Sequence, residues 1–279
     1  MRTDWVFRGL ADSSYSLEPI IERQARSKNI PWLALEKLIA SEFKSRSRMH
    51  LDATLIPEPQ DEFTWLAQMQ HYGIPTRLLD FTYSPFVALY FAVRQQQYGT
   101  EPSNIRLWAI DAVAVNKRFR YVASIAEARA RERAGGEMFT SVSTDPDYHG
   151  TAGDSMDSET QELQVMVKKS LVASDTYKVE LKRQGCVAVA SPPTFNPRLA
   201  SQQGAFLVNF AEELNLCESL KKMMEGYATD WCKCFDIIGD SAADIKRRLF
   251  QMNVHEQSLF PDMEGLAGFI HQKIRLHWK

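Results

Sequence analysis

The sequence predicts an α+β fold, a mixed core of short strands surrounded by helices, as a single domain over 1–279 with an insertion or lid around 115–180. Three observations predict it. Five short β-type runs are spread along the chain and separated by stretches of helical periodicity. With 44% hydrophobic and 24% charged residues, the 279-residue chain has ordinary globular composition and can bury a large core. A long interruption rich in Gly, Ser, Thr and Asp sits between two of the β-type runs.

Trp5-Val6-Phe7 is the first β-type run, ended at Arg8-Gly9, where glycine permits a turn. From Trp32 to about Met49, Leu35, Leu38, Ile39 and Phe43 have helical spacing, and basic residues gather toward the end. Pro57 and Pro59 interrupt the chain before a second helix over Phe63 to His71. Gly73-Ile74-Pro75 breaks that helix, since a residue before proline avoids the α region. Thr76, Arg77 and Asp80 then fall in the following turn.

Ser84-Pro85 reads as a helix start, with serine as cap and proline in the first turn. Phe86, Val87, Leu89, Tyr90 and Phe91 make that helix apolar nearly all round, so burial is expected. Ile105 to Ile110, Cys186 to Ala190, Ala205 to Phe210 and Cys234 to Ile238 are the remaining β-type runs. Gly135 to Ser158 has loop composition, followed by helical spacing over Thr160 to Val172, so 115–180 is expected to be an insertion or lid. Ser241 with Asp244 is a capping-box pattern for a helix through Met252, and Pro261 opens a last helix containing Leu266, Phe269, Ile270 and Ile274.

A net charge of −2 gives no global basic field to recruit nucleic acid or an anionic membrane. No run approaches eighteen apolar residues and no signal-like leader is visible, so a cytoplasmic protein without membrane partners is expected. Cys186, Cys217, Cys232 and Cys234 suit reduced core positions, and Cys232-Lys233-Cys234 lacks the second pair that a zinc site needs, so no metal is expected.

The polar density of one segment points to chemistry. Within the thirteen positions from Gln70 to Thr82 stand His71, Tyr72, Thr76, Arg77, Asp80 and Thr82. They offer a histidine that titrates near neutrality, an anion-binding fork and a carboxylate. The bland alternative is a helix-end histidine and an Arg77–Asp80 surface pair contributing ~0–1 kcal/mol. Arg8 beside Gly9 can fork onto a phosphate or carboxylate while the glycine admits the ligand, or can form a structural ion pair. Gln202 and Gln203 before Gly204 can recognise a base, ribose or carboxamide, or cap an exposed strand. Asn196-Pro197-Arg198 adds a second phosphate contact. His255, His271, His277 and Lys246-Arg247-Arg248 read as packing or solvated surface.

Taken in order, Phe7-Arg8-Gly9, Gln70-His71-Tyr72-Gly73 through Pro75-Thr76-Arg77-Leu78-Leu79-Asp80, Pro85 with Ala88 to Ala92, Gln203-Gly204-Ala205-Phe206, and Leu259-Phe260-Pro261-Asp262 with Gly265-Leu266-Ala267 resemble the FRG domain family. A weaker similarity is to ADP-ribosyltransferases of the Arg-Ser-Glu type. Phe7-Arg8-Gly9 resembles their first core strand, Phe81 to Ser84 with Val87 to Ala92 their Ser/Thr strand and helix, and Gln203 stands where their catalytic glutamate is expected. That resemblance implies NAD lying across a split β core. Arg8 would hold phosphate or ribose, and Thr82 or Ser84 would steady the nicotinamide ribose. The missing glutamate would be replaced by His71, Asp80, or one of Glu137, Glu159 and Glu162.

The implied site comprises Arg8, His71, Asp80 and Gln203 as catalytic residues, with Gly9, Tyr72, Thr76, Arg77, Thr82, Ser84 and Gln202 joining Arg8 in binding NAD. The implied activity is ADP-ribosyl transfer or NAD hydrolysis in a toxin or phage-defence effector, with a protein or nucleic-acid acceptor and an inhibitory or guard partner. Two rival readings stand beside it. One is a phosphodiester hydrolase with His71 as base and Asp80 orienting it; the other is a non-catalytic ligand- or protein-interaction module.

Overall fold

Six strands form among the described residues: β1 (Trp5–Leu10), β2 (Leu78–Thr82), β3 (Ile105–Asp111), β4 (Val187–Ala190), β5 (Gly204–Asn209) and β6 (Cys232–Ile237). The structure, a computed structural model, describes residues 5–94, 104–133, 156–172, 175–191, 197–227, 230–238 and 242–277. The side chains at 156–160, 175–176 and 275–277 lie outside that set. The strands make one sheet in the order β4-β5-β2-β1-β3-β6, and every pairing is antiparallel.

The sheet is thinnest at its middle. β1 and β3 pair from Trp5↔Asp111 to Leu10↔Arg106, and β2 and β5 from Leu78↔Val208 to Thr82↔Gly204. Between β1 and β2 only Phe7↔Thr82 is in register. Two three-stranded halves, β4-β5-β2 and β1-β3-β6, therefore meet along a seam that opens beyond that pair.

Twelve helices surround the sheet among the described residues: α1 (Ile20–Lys28), α2 (Trp32–Ser47), α3 (Glu62–His71), α4 (Pro85–Arg94), α5 (Ala112–Arg133), α6 (Met156–Leu171), α7 (Asp175–Gln184), α8 (Pro197–Ser201), α9 (Leu216–Met223), α10 (Ala242–Gln251), α11 (Glu256–Leu259) and α12 (Met263–His277). Asp61 starts α3 by accepting the Thr64 amide at 3.2 Å, and Gly73, at φ +76°, follows its last turn in a conformation that favours glycine. Asp262 starts α12 by accepting the Gly265 amide at 2.8 Å, so the helix begins two residues beyond Pro261. Ser241 lies outside the described residues, and α10 begins at Ala242.

Two expectations need correction. β1 runs on through Arg8 and Gly9 to Leu10 and makes no turn there. A Cβ on Gly9 would lie 1.9 Å from the Ala88 carbonyl oxygen and 2.9 Å from the Ala92 Cβ, so this glycine lets α4 lie directly on the strand. Second, Asp80 stands inside β2 instead of a turn. Leu78, Leu79, Phe81 and Thr82 are all buried, because a central strand covered on both faces loses the alternation that marks a strand. The described part of 115–180 supplies core. Phe119 and Val122 of α5 and Val167 of α6 are buried in the main hydrophobic cluster. Most of the loop-like stretch Gly135–Ser158, with Glu137, lies outside the described residues.

Candidate functional site

The seam between β1 and β2 is where the candidate residues gather. Beyond Phe7↔Thr82 the strands part, and the Arg8 side chain fills the gap, donating Nη1–H to the main-chain oxygen of Asp80 at 2.6 Å. No carboxylate stands in ion-pair contact with Arg8 among the described residues. Burial lowers its pKa from the usual arginine value, the Asp80 carboxylate opposes that, and Arg23 of α1 adds to it. Its Nε is buried without an acceptor. Arg8 is thus a cation with one neutral anchor and spare donors.

Asp80 is exposed, although it belongs to a central strand. Gln70, in the last turn of α3, donates its amide to Asp80 Oδ2 at 2.9 Å, while the Gln70 carbonyl accepts the Thr76 hydroxyl at 2.7 Å. Thr76 Oγ1 in turn accepts the Leu78 amide at 3.2 Å. This chain fixes the carboxylate in orientation. Gln70 was missed as a site residue, although it opens the polar segment; only its bonds to Thr76 in the following loop and Asp80 in the next strand reveal its role.

His71, next to Gln70, ends α3 and sits edge-on to Tyr72, whose ring also meets Phe43. Burial lowers the His71 pKa below its usual value, and the Arg198 charge lowers it further. The imidazole is therefore neutral at pH 7 and able to accept a proton. One oxygen of Asp80 is oriented by Gln70.

Arg77 does not join this group. Its side chain is buried against Glu36 of α2, with Nε donating to Oε2 at 2.6 Å and Nη2 paired to the same carboxylate. Its backbone amide donates to Glu36 Oε1 at 2.7 Å, and its guanidinium lies 4.9 Å over the Trp32 ring. The expected surface pair with Asp80 is replaced by this buried one. Arg77 borders a separate cavity of about 420 Å³ shared with Lys44, Glu62, Lys178 and Glu212.

At the mouth of β5 the backbone does the joining. Thr82 donates its hydroxyl to the Gln202 carbonyl at 2.7 Å and accepts the Ser84 amide at 3.0 Å, so it secures the turn into α4. Ser84 Oγ accepts the Val87 amide at 3.4 Å, a long cap contact. Gln203 is exposed at φ +48°, and its carbonyl accepts the Tyr83 amide at 3.0 Å. Gln202 donates its side-chain amide to the Leu259 carbonyl at 3.1 Å. Arg198 pairs with Asp262 at 2.9 Å and lies 4.7 Å over Phe260, whose ring also carries Arg94 at 4.5 Å. Phe260 and Asp262 thus tie the C-terminal helices to α8 beside His71. Asn196 and Glu137 lie outside the described residues, as does the Glu159 side chain, while Glu162 is exposed on α6.

The sequence-predicted set therefore separates into two groups. Arg8 and Asp80 meet at the seam, with Gln70 holding Asp80 and His71 next to Gln70 in sequence, while Gln203 is tied by its backbone to Tyr83 just beyond β2. Gly9, Thr76, Arg77, Thr82 and Gln202 are occupied with packing or internal hydrogen bonds. Tyr72 remains 52% exposed beside His71, free to offer a ring face. Among the described residues no group of His, Cys, Asp and Glu is arranged to hold a metal ion, and no helix is long and apolar enough to cross a membrane. All four cysteines are free; Cys186 is buried, but Cys234 is exposed, against the core position expected for it.

Residues 3–101 match the family model of the FRG domain, a span containing β1, the α3–β2 segment and α4. No curated protein and no solved structure matches the chain.

Proposed function

With an FRG domain carried on residues 3–101, we propose that this protein binds NAD or a related nucleotide across the β1–β2 seam and cleaves its nicotinamide–ribose bond. The observation that carries the reading is the meeting of Arg8 and Asp80: a cation with unspent donors and an exposed, oriented carboxylate side by side where the sheet opens. The spare guanidinium N–H groups of Arg8 suit a phosphate oxygen. Asp80 supplies the negative charge that Gln203 lacks, stabilising the oxocarbenium-like ribose as the C–N bond breaks and nicotinamide leaves with the bonding pair. A water molecule or an acceptor nucleophile then bonds to the ribose carbon, and its proton passes to the neutral His71 imidazole. Consumption of NAD by such a catalyst fits the effector role that the resemblance implies.

A second reading, binding without turnover, is favoured by two features. Gln203 is neutral, and the Thr82 hydroxyl is already bonded on both sides. Thermal stabilisation by NAD and release of nicotinamide separate the two. Asp80→Asn is expected to keep NAD-dependent stabilisation while losing nicotinamide release by on the order of 100-fold. Arg8→Lys, which keeps the charge but not the fork, should weaken both. Wild-type protein that is stabilised by NAD and returns it unchanged supports the second reading. If NAD gives no stabilisation, both fall.

A further inference from the structure

The residue opposite Arg8 on β3 is Trp108. Cross-strand partners point to the same face of a sheet with their Cβ atoms roughly 5 Å apart, so the indole and the guanidinium stem are neighbours. Each carries a buried N–H without an acceptor, Nε of Arg8 and Nε1 of Trp108. An unmet buried donor is destabilising, and two adjacent ones call for a bound acceptor. Charges of both signs stand near Arg8: the Asp80 carboxylate favours its cation, and Arg23 of α1 is close enough to oppose it. Arg106, 6.0 Å over the Trp108 ring, is already committed to a bidentate pair with Asp236 at 2.6 and 2.8 Å.

We infer that Arg8 and Trp108 together form a phosphate subsite, with Trp108 Nε1–H as its second donor and Arg23 as a flanking charge. The ligand class is a nucleoside diphosphate or the diphosphate of a dinucleotide, which rests on the nucleotide reading above. An anionic oxygen answers both N–H groups and both arginine charges, whereas a nucleoside without phosphate answers none of them. Trp108 carries no motif signal in the sequence; the register alone brings it beside Arg8.

Isothermal titration with ADP, and with adenosine as control, tests this at fixed ionic strength. Trp108→Phe keeps an aromatic ring and removes the N–H. It should raise the ADP Kd roughly tenfold or more while leaving the ligand-free melting temperature unchanged or higher. Arg23→Gln, an exposed substitution, should weaken ADP a few-fold, and by less at high salt. In wild-type protein the Trp108 indole N–H resonance should move downfield with ADP and stay in place with adenosine, a readout that does not depend on the variant folding. If ADP and NAD bind and neither the Trp108→Phe affinity nor the indole resonance changes, the subsite is wrong and the nucleotide reading stands. If wild-type protein binds neither ADP nor NAD, the nucleotide reading fails and the subsite with it.

Discussion

Arg77 is locked to Glu36, forty-one positions upstream, through both its side chain and its backbone amide. Both side chains are almost fully buried, at 10% and 3% exposure, and Trp32 covers the guanidinium. Removing one partner of such a pair leaves a buried charge uncompensated. Glu36→Ala is therefore expected to cost about 3–5 kcal/mol in urea unfolding. The double replacement Glu36→Met with Arg77→Met should recover most of that loss. A single variant that loses under 1 kcal/mol would show that the pair is open to water.

Gly9→Ala should be severe for a different reason. The added methyl would meet the Ala88 carbonyl oxygen, which belongs to a helix backbone and cannot swing away. Overpacking of this kind costs about 1–3 kcal/mol or more, so a lower melting temperature is expected. Gly73→Ala provides the contrast. Nothing lies within 4 Å of a Cβ there, and only its φ of +76° resists the change. A Gly9→Ala protein as stable as wild type would mean that α4 can lift from the strand.

These two cases mark how far the sequence could be read. Five of the six strands fall within a few residues of the expected runs, because their apolar stretches are bounded by turn residues. β2 was hidden, since Leu78-Leu79-Asp80-Phe81-Thr82 packs on both faces and shows no alternation. The insertion reading of 115–180 rests on the loop composition of Gly135–Ser158, which says nothing of the packing of α5, where Val115, Phe119 and Val122 lie in the core. The polar density of Gln70–Thr82 was legible as a candidate site, but its division was not. Arg77 and Glu36, or Thr82 and the Gln202 carbonyl 120 positions later, meet only through tertiary packing.

Glu22 gives a pH prediction. Its carboxylate accepts the Leu216 amide at 3.0 Å at the start of α9, and the Asn209 side-chain amide at 3.4 Å. Burial raises its pKa from the usual 4.5 to about 7, with Glu18 and Glu218 adding to the rise. Because the folded value lies above the unfolded one, the stabilising contribution is fully present below about 4.5. It is lost as pH rises through about 7. The loss is on the order of 3 kcal/mol. Denaturant midpoints should therefore fall between pH 5 and pH 8 in wild-type protein, and Glu22→Gln should flatten that slope. An unchanged slope in the variant would assign the dependence to other groups.

His71 supplies the matching test at the candidate site. Burial is the larger cause of its lowered pKa and the Arg198 charge the smaller. The folded value lies below the unfolded one near 6.5, so its stabilising contribution is present above that pH and is lost as pH falls through the folded value. Arg198→Gln should raise the His71 titration midpoint, observed by NMR of the imidazole, without returning it to 6.5, since burial remains. If His71 accepts the proton of the attacking nucleophile, the acid limb of the pH–rate profile for NAD turnover should move upward with it. An NMR midpoint that rises while the acid limb stays in place would remove His71 from the proposed chemistry. Arg8 and Asp80 would keep their roles, because neither depends on the imidazole for its position at the seam.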